Sequence, residues 1–405
     1  VTDARIDSSY AWMRLGLMLL LGTIGTAAMW IASVAVPQIQ AEFGATRAAA
    51  ALPYTATTLG FAVGAVMVGH LSDRFGVIAP IVIGAVSLAI GFTLGSYAQS
   101  LWQLAAVQFL FIGMFGSSAF FGPLIAEISM WFQRRRGIAV AICASGNYVS
   151  GAVWPPITQS LFDTIGWRQT YLTIAVVTLL TILPLTLLLR ARQTPAPSEA
   201  EAAINARASD RPLGFPPNTL QGLLALAALS CCVAMAMPQV HIVAYCVDLG
   251  YGAARGAEML ALMLACGVIS RIGMGMMSDR IGALRTLLIG SGLQGVSLVL
   301  FLPFDGIVSL YLISALFGLV QGGIVPAYAV LVREYFSPRE AGVRVGIVMT
   351  ASLLGMALGG WMTGAVFDLT GSYRAAFVNG IAWNVLNLAI AFWLLRRGSM
   401  RPALA

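Results

Sequence analysis

Gly69-His70-Leu71-Ser72-Asp73-Arg74-Phe75-Gly76 recurs as Gly275-Met276-Met277-Ser278-Asp279-Arg280-Ile281-Gly282, an offset of 206 residues. Two further matches keep nearly that offset. Leu161-Phe162-Asp163-Thr164-Ile165-Gly166-Trp167-Arg168 returns as Val366-Phe367-Asp368-Leu369-Thr370-Gly371-Ser372-Tyr373-Arg374, 205 residues on before a one-residue slip. Trp131-Phe132 pairs with Tyr335-Phe336 at 204. Three matches at nearly one offset, each at the same place in its half, describe a parallel internal repeat.

Around the two octets the chain is apolar. Segments of membrane-spanning length fall at 15–37, 48–70, 77–97, 101–128, 137–162, 168–190, 218–247, 256–277, 284–303, 307–332, 342–367 and 373–395. Of the 405 residues, 59% are apolar, and at ~20 residues per span that suffices for about twelve. The first segment is read as a retained helix and not as a cleaved leader. The stretch 191–217, with Gln-Thr-Pro-Ala-Pro-Ser-Glu at its start, is polar and aperiodic and reads as a cytoplasmic linker. The expectation is an all-α polytopic membrane protein. An N-terminal six-helix bundle (1–190) and a C-terminal one (218–405) are joined by that linker.

Only 10% of the residues are charged, too few to cover a soluble surface of this size. All 23 basic residues are Arg, which removes Schiff-base chemistry on lysine. The net charge of +7 is explained by topology and not by nucleic acid. With both termini cytoplasmic, 18 arginines fall on the cytoplasmic side, four (Arg47, Arg168, Arg255, Arg374) on the other, and Arg271 inside a span. The five cysteines lie in apolar stretches without CxxC spacing and read as packing residues, not metal ligands. No phosphate loop, HExxH motif or nucleophile–base set is present, so neither an enzyme nor a cofactor is expected.

Each octet falls after the second span of its half. Gly69 and Gly275 would let another helix approach. Asp73 and Asp279 can accept hydrogen bonds from amides at a helix N-terminus, and Arg74 and Arg280 can pair with an acid. Glu127, low in the fourth span, is the candidate partner of Arg74. Together these seven residues form the expected gate. Here the sequence resembles the major facilitator superfamily, whose signature is this octet between the second and third helices. The resemblance implies twelve helices in two pseudo-symmetric bundles that move by alternating access. Val77 and Ile78 depart from the usual basic pair after the octet, and the second copy keeps only Arg285.

A narrower likeness begins at Trp131-Phe132-Gln133-Arg134-Arg135-Arg136-Gly137-Ile138-Ala139 and continues with Gly146, Gly151 and Pro155-Pro156. This is similar to the monocarboxylate transporters and their bacterial oxalate–formate exchanger relatives. Pro155 and Pro156 should kink the outer end of the fifth helix. Arg271 lies in Cys-Gly-Val-Ile-Ser-Arg-Ile-Gly, where a charge is costly unless it faces a cavity or a partner. Guanidinium binds carboxylate bidentately. The resemblance places an Arg at this point of the eighth helix and implies a substrate-carboxylate contact; the alternative is a salt bridge that fixes packing. Many animal relatives carry an Asp four residues earlier, where this chain has Gly267. Proton coupling then falls to His241, a residue type able to change charge near neutral pH, or to Asp248 two turns on. The alternatives are a hydrogen-bonded His and a solvated helix end. His70, in the octet, reads as structural. Asn147 matches a pore-facing position of the exchangers, and Gln321, Tyr245, Phe121 and Trp30 complete the expected substrate site. Tyr54, Asn384 and Trp361 are further intramembrane candidates. Ser352 stands where dicarboxylate carriers have a second cation, which favours a singly charged anion.

The expected function is secondary transport of a small organic monoanion, a monocarboxylate with proton symport, by a monomer in a cell membrane of bacterial inner-membrane type. Export of drug-like or amphipathic metabolites is the alternative, and a non-transporting membrane sensor a distant third.

Overall fold

The computed structural model describes residues 6–189 and 215–399, without the side chains of Asp73, Arg136, Pro338, Arg339, Ala341, Gly398 and Ser399. The linker 191–217, apart from its last three residues, therefore lies outside the described residues, as do Arg5, Arg190, Arg192, Arg207, Arg211 and Arg401.

In lipid every backbone N–H and C=O must be satisfied inside its own segment, which makes apolar runs helical. Among the described residues, eleven helices are long and apolar enough to cross a bilayer. The longest, Gly137–Leu187, has 51 residues. At ~1.5 Å per residue it would reach ~77 Å, against a hydrocarbon core of ~30 Å. It is broken at Gly166 (φ 77°, ψ 159°), a combination essentially confined to glycine, so it makes two crossings and the total is twelve. We number them α1 (Ser9–Val34), α2 (Leu52–Phe75), α3 (Ile78–Ser96), α4 (Leu101–Trp131), α5 (137–165), α6 (167–187), α7 (Pro217–Asp248), α8 (Ala253–Ile281), α9 (Ala283–Leu300), α10 (Ile307–Tyr335), α11 (Gly342–Thr370) and α12 (Tyr373–Arg397). The starts are capped as the sequence dictates. Ser8 Oγ accepts from the N–H of Ala11, and Ser100 Oγ from that of Gln103, both at 3.3 Å.

The repeat is written into the backbone as well as the sequence. Glycines with positive φ fall at 44, 76 and 166, and again at 250, 282 and 371. Each pair is separated by the 205–206 residues of the sequence repeat. The octets need correcting. They are helical as far as Phe75 and Ile281, and the turns fall on their last residues, Gly76 (φ 80°) and Gly282 (φ 87°). Gly69 and Gly275 do not sit at helix crossings: a Cβ added at either meets nothing within 4 Å.

Close crossings occur elsewhere. A Cβ on Gly60 of α2 would stand 2.1 Å from the carbonyl oxygen of Phe109 in α4. In the second half, a Cβ on Gly322 of α10 would stand 2.0 Å from the carbonyl oxygen of Gly267 in α8. At these contacts α4 and α10 lose regular winding. α4 widens to a π-helical turn over Gln108–Met114 and then tightens to a 3-10 turn at Ser117–Phe120; α10 is interrupted at Gly322–Gly323.

The chain forms two compact units. One holds the described residues of Val1–Pro195 together with Val240–Ala265; the other holds those of Ala196–Gln239 and Cys266–Ala405. The C-terminal part of α7 and the N-terminal part of α8 are therefore packed with the first six helices, a division the linker-based boundary at 217/218 does not describe.

Candidate functional site

In the second unit, three irregularities converge on one polar cluster. Pro238 lies inside α7 and removes a ladder hydrogen bond just before Gln239. α10 is interrupted directly after Gln321. Arg271, half-buried on α8, donates Nε–H to the carbonyl of Gly322 at 3.2 Å, so the guanidinium is steadied by a carbonyl at the helix break. Gln239 Nε2 donates to Gln321 Oε1 at 2.7 Å. Arg271 thus lies against the residue that follows Gln321, whose own amide is bonded to Gln239. Gln239 was missed: it is uncharged and sits two residues before the more conspicuous His241. A Pro followed by Gln and His in an otherwise apolar run was the available signal. Broken helices that expose polar groups at mid-membrane are the usual way such folds build ligand sites.

In the first unit, Trp30 and Asn147 meet. The indole Nε1–H donates to the Asn147 carbonyl at 2.9 Å and to its Oδ1 at 3.2 Å. Phe121 packs against Phe61 with ring centroids 6.3 Å apart. His241 and Tyr245 are buried on α7, at 1% and 7% exposure. Asp248 is an exposed helix end that is also ion-paired. Arg47 Nη2 donates to both its carboxylate oxygens at 2.8 Å. Of the further candidates, Trp361 is 42% exposed on the outside of α11, and Ser352 Oγ–H bonds back to Val348 O of its own helix at 3.0 Å.

The expected partner of Arg74 is otherwise engaged. Glu127 is buried and accepts from Arg14 Nη2 at 2.7 Å and from Trp131 Nε1 at 2.9 Å. Arg14 also stacks over the Trp131 ring at 4.3 Å and donates to Leu189 O at 3.2 Å. Arg74 instead lies exposed over the ring of Phe75, at 5.3 Å. Asp279 and Arg280 are exposed, and the side chain of Asp73 lies outside the described residues. Among the described residues no ion pair joins either octet to a neighbouring helix. His70 is exposed, its Nδ1 2.8 Å from Val66 O. Arg14, counted above as a topology anchor, is fully buried. Arg271 is therefore not the sole arginine that topology leaves unexplained.

All twelve crossings, the duplicated octet and the duplicated turn glycines fit one family, and its sequence model confirms it. A model of the Major Facilitator Superfamily matches residues 18–274 and 258–403. The chain belongs to the major facilitator superfamily. This facilitator is similar to the MFS-type transporter pynF of Aspergillus niger, 26% identical over 76% of this chain and 69% of that protein. It is similar to monocarboxylate transporter 13 of Bos taurus, 26% identical over 76% of this chain and 71% of that one. Its fold matches a crystal structure of a bacterial homologue of the human lysosomal transporter Spinster, solved inward-facing and unoccupied. The TM-score is 0.75, with 98% of this chain and 100% of that chain covered at 15% identity.

Proposed function

We propose that this facilitator carries small organic monoanions, monocarboxylates first among them, in symport with protons and by alternating access. One observation carries the reading: a guanidinium, Arg271, stands within an apolar span at a helix break, beside buried amides. A charge at that depth is retained where it serves a partner or a substrate, and guanidinium is the side chain best matched to a carboxylate. The likeness to monocarboxylate transporter 13 supports the same chemistry. A single cation at the site favours a single negative charge on the cargo.

In this reading His241 carries the proton. Asp248, held by Arg47, serves as an outer latch that must open when the cargo enters from that side. The protein works as a monomer in a bacterial inner membrane with both termini in the cytoplasm. The test is uptake by proteoliposomes. Arg271→Gln should abolish uptake of radiolabelled monocarboxylates while the protein still purifies folded; undiminished uptake sinks the reading. His241→Gln should flatten the pH dependence of uptake, and an unchanged profile moves the proton elsewhere. A parallel panel of lipophilic cations separates carboxylate transport from drug-like export.

A further inference from the structure

The amides of Gln239 on α7 and Gln321 on α10 share one hydrogen bond and leave half of each amide over. Gln239 and Gln321 are 1% and 0% exposed. Gln239 Oε1 and Gln321 Nε2 are both buried and have no hydrogen-bond partner among the described residues. Turning both amides over exchanges the two roles and leaves the same remainder, one acceptor and one donor, so the count does not depend on which atom is oxygen. Buried polar groups are nearly always satisfied, and an orphan destabilises by more than an ordinary hydrogen bond contributes. The hydrocarbon around these helices supplies no bulk water to meet the need. The pair also lies beside Pro238 of α7 and at the end of the first half of α10.

We propose that Gln239 and Gln321 form a specificity pair that reads a carboxamide on the transported anion. The proposal rests on the reading of Arg271 as the carboxylate partner. The substrate carbonyl would accept from Gln321 Nε2, and its N–H would donate to Gln239 Oε1. Two orphan atoms on two different helices call for two ligand atoms, one of each kind. A planar carboxamide edge supplies them side by side, whereas a hydroxyl must answer both from one oxygen. A methyl ketone of the same shape supplies an acceptor alone and leaves Gln239 Oε1 buried and unmet. Sites built to hydrogen-bond a group reject analogues that lack it far more strongly than apolar pockets reject a missing methylene. The cargo class is therefore a short monocarboxylate bearing a primary amide.

Isosteric pairs test this at three chain lengths: oxamate against pyruvate, malonamate against acetoacetate, and succinamate against levulinate. Uptake into proteoliposomes and thermal shift of the wild-type protein are read for all six. At one chain length at least, the amide should be preferred by about tenfold or more. Gln239→Leu should bring that ratio to within about twofold. Equal handling of amide and ketone at every length overturns the specificity pair and leaves the carboxylate reading standing. So does a preference for lactate or 4-hydroxypentanoate over the amides, which would assign the pair to a hydroxyl. If none of the six acids binds or is carried, the carboxylate reading falls and the pair falls with it; Arg271→Gln reports on the first separately. A Gln239→Leu protein that keeps the full ratio also overturns the proposal, and if that variant does not fold, the wild-type ratios decide alone.

Discussion

The two halves share a fold and differ in what holds their interiors. In the first half the polar interior is a charged clasp. Arg14 of α1 grips Glu127 of α4 and the end of the chain after α6, with side chains 0% and 7% exposed. In the second half, Arg271 apart, it is a ladder of neutral groups. Tyr328 Oη–H donates to Asn387 Oδ1 at 2.7 Å, and Asn387 Nδ2 donates to Ser291 Oγ at 2.8 Å. Asn384 Nδ2 donates to Ser291 O and Gln294 Oε1, and Gln294 Nε2 donates to Cys231 O. The outer ends diverge too. Glu42 and Asp248 stand 206 residues apart in the repeat, yet Glu42 takes Arg168 while Asp248 takes Arg47. Equivalent backbones thus accept inequivalent electrostatics. A charged clasp is costly to half-dismantle, whereas an amide ladder loses little at each rung.

That contrast is most easily broken at the clasp. Glu127→Leu leaves Arg14 buried without its carboxylate and should cost about 3–5 kcal/mol, while Arg14→Met with Glu127→Leu should recover most of the loss. Chemical unfolding in detergent measures both. A double variant as unstable as the single one would show that Arg14 and Glu127 act through packing and not charge. In the second half, Asn387→Leu should cost ~1 kcal/mol, in line with hydrogen bonds between membrane helices. A loss as large as that of Glu127→Leu would erase the distinction between the halves. The smallest effect is expected at the outer acid. The side chain of Asp248 remains 31% accessible, so Asp248→Asn should change stability by about 1 kcal/mol or less. In transport assays it should act like high salt does on the wild type, since both weaken the Arg47 pair. An Asp248→Asn protein with unaltered uptake and unaltered salt dependence would remove the latch.

Much of this architecture was legible in the sequence because the bilayer leaves few choices. Runs of apolar residues became helices, and a repeated octet became a repeated helix end closed by a glycine turn. What was not legible follows from where polar groups find partners. Arg14 near the end of an apolar run looks like an anchor by the positive-inside rule, and only the position of Glu127 across the bundle makes it a clasp. Gly69 was credited with a close crossing that Gly60 makes, because the helix continues through the octet and the crossing lies higher on α2. Arg271 stood out because a charge in a span must find either a partner or a substrate. Gln239 did not, because a neutral amide shows its importance only when half of it is left unbonded.

The break at Gly166 has a mechanical consequence. α5 and α6 are joined by one non-helical residue, so their joined ends have no slack. Neither can swing without carrying the other, and the hairpin acts as a two-armed lever pivoted at its tip. Inserting a few flexible residues after Gly166 would decouple the arms without touching a single polar contact of the candidate site. The same economy leaves almost no chain at that tip for a protease or an antibody to grasp.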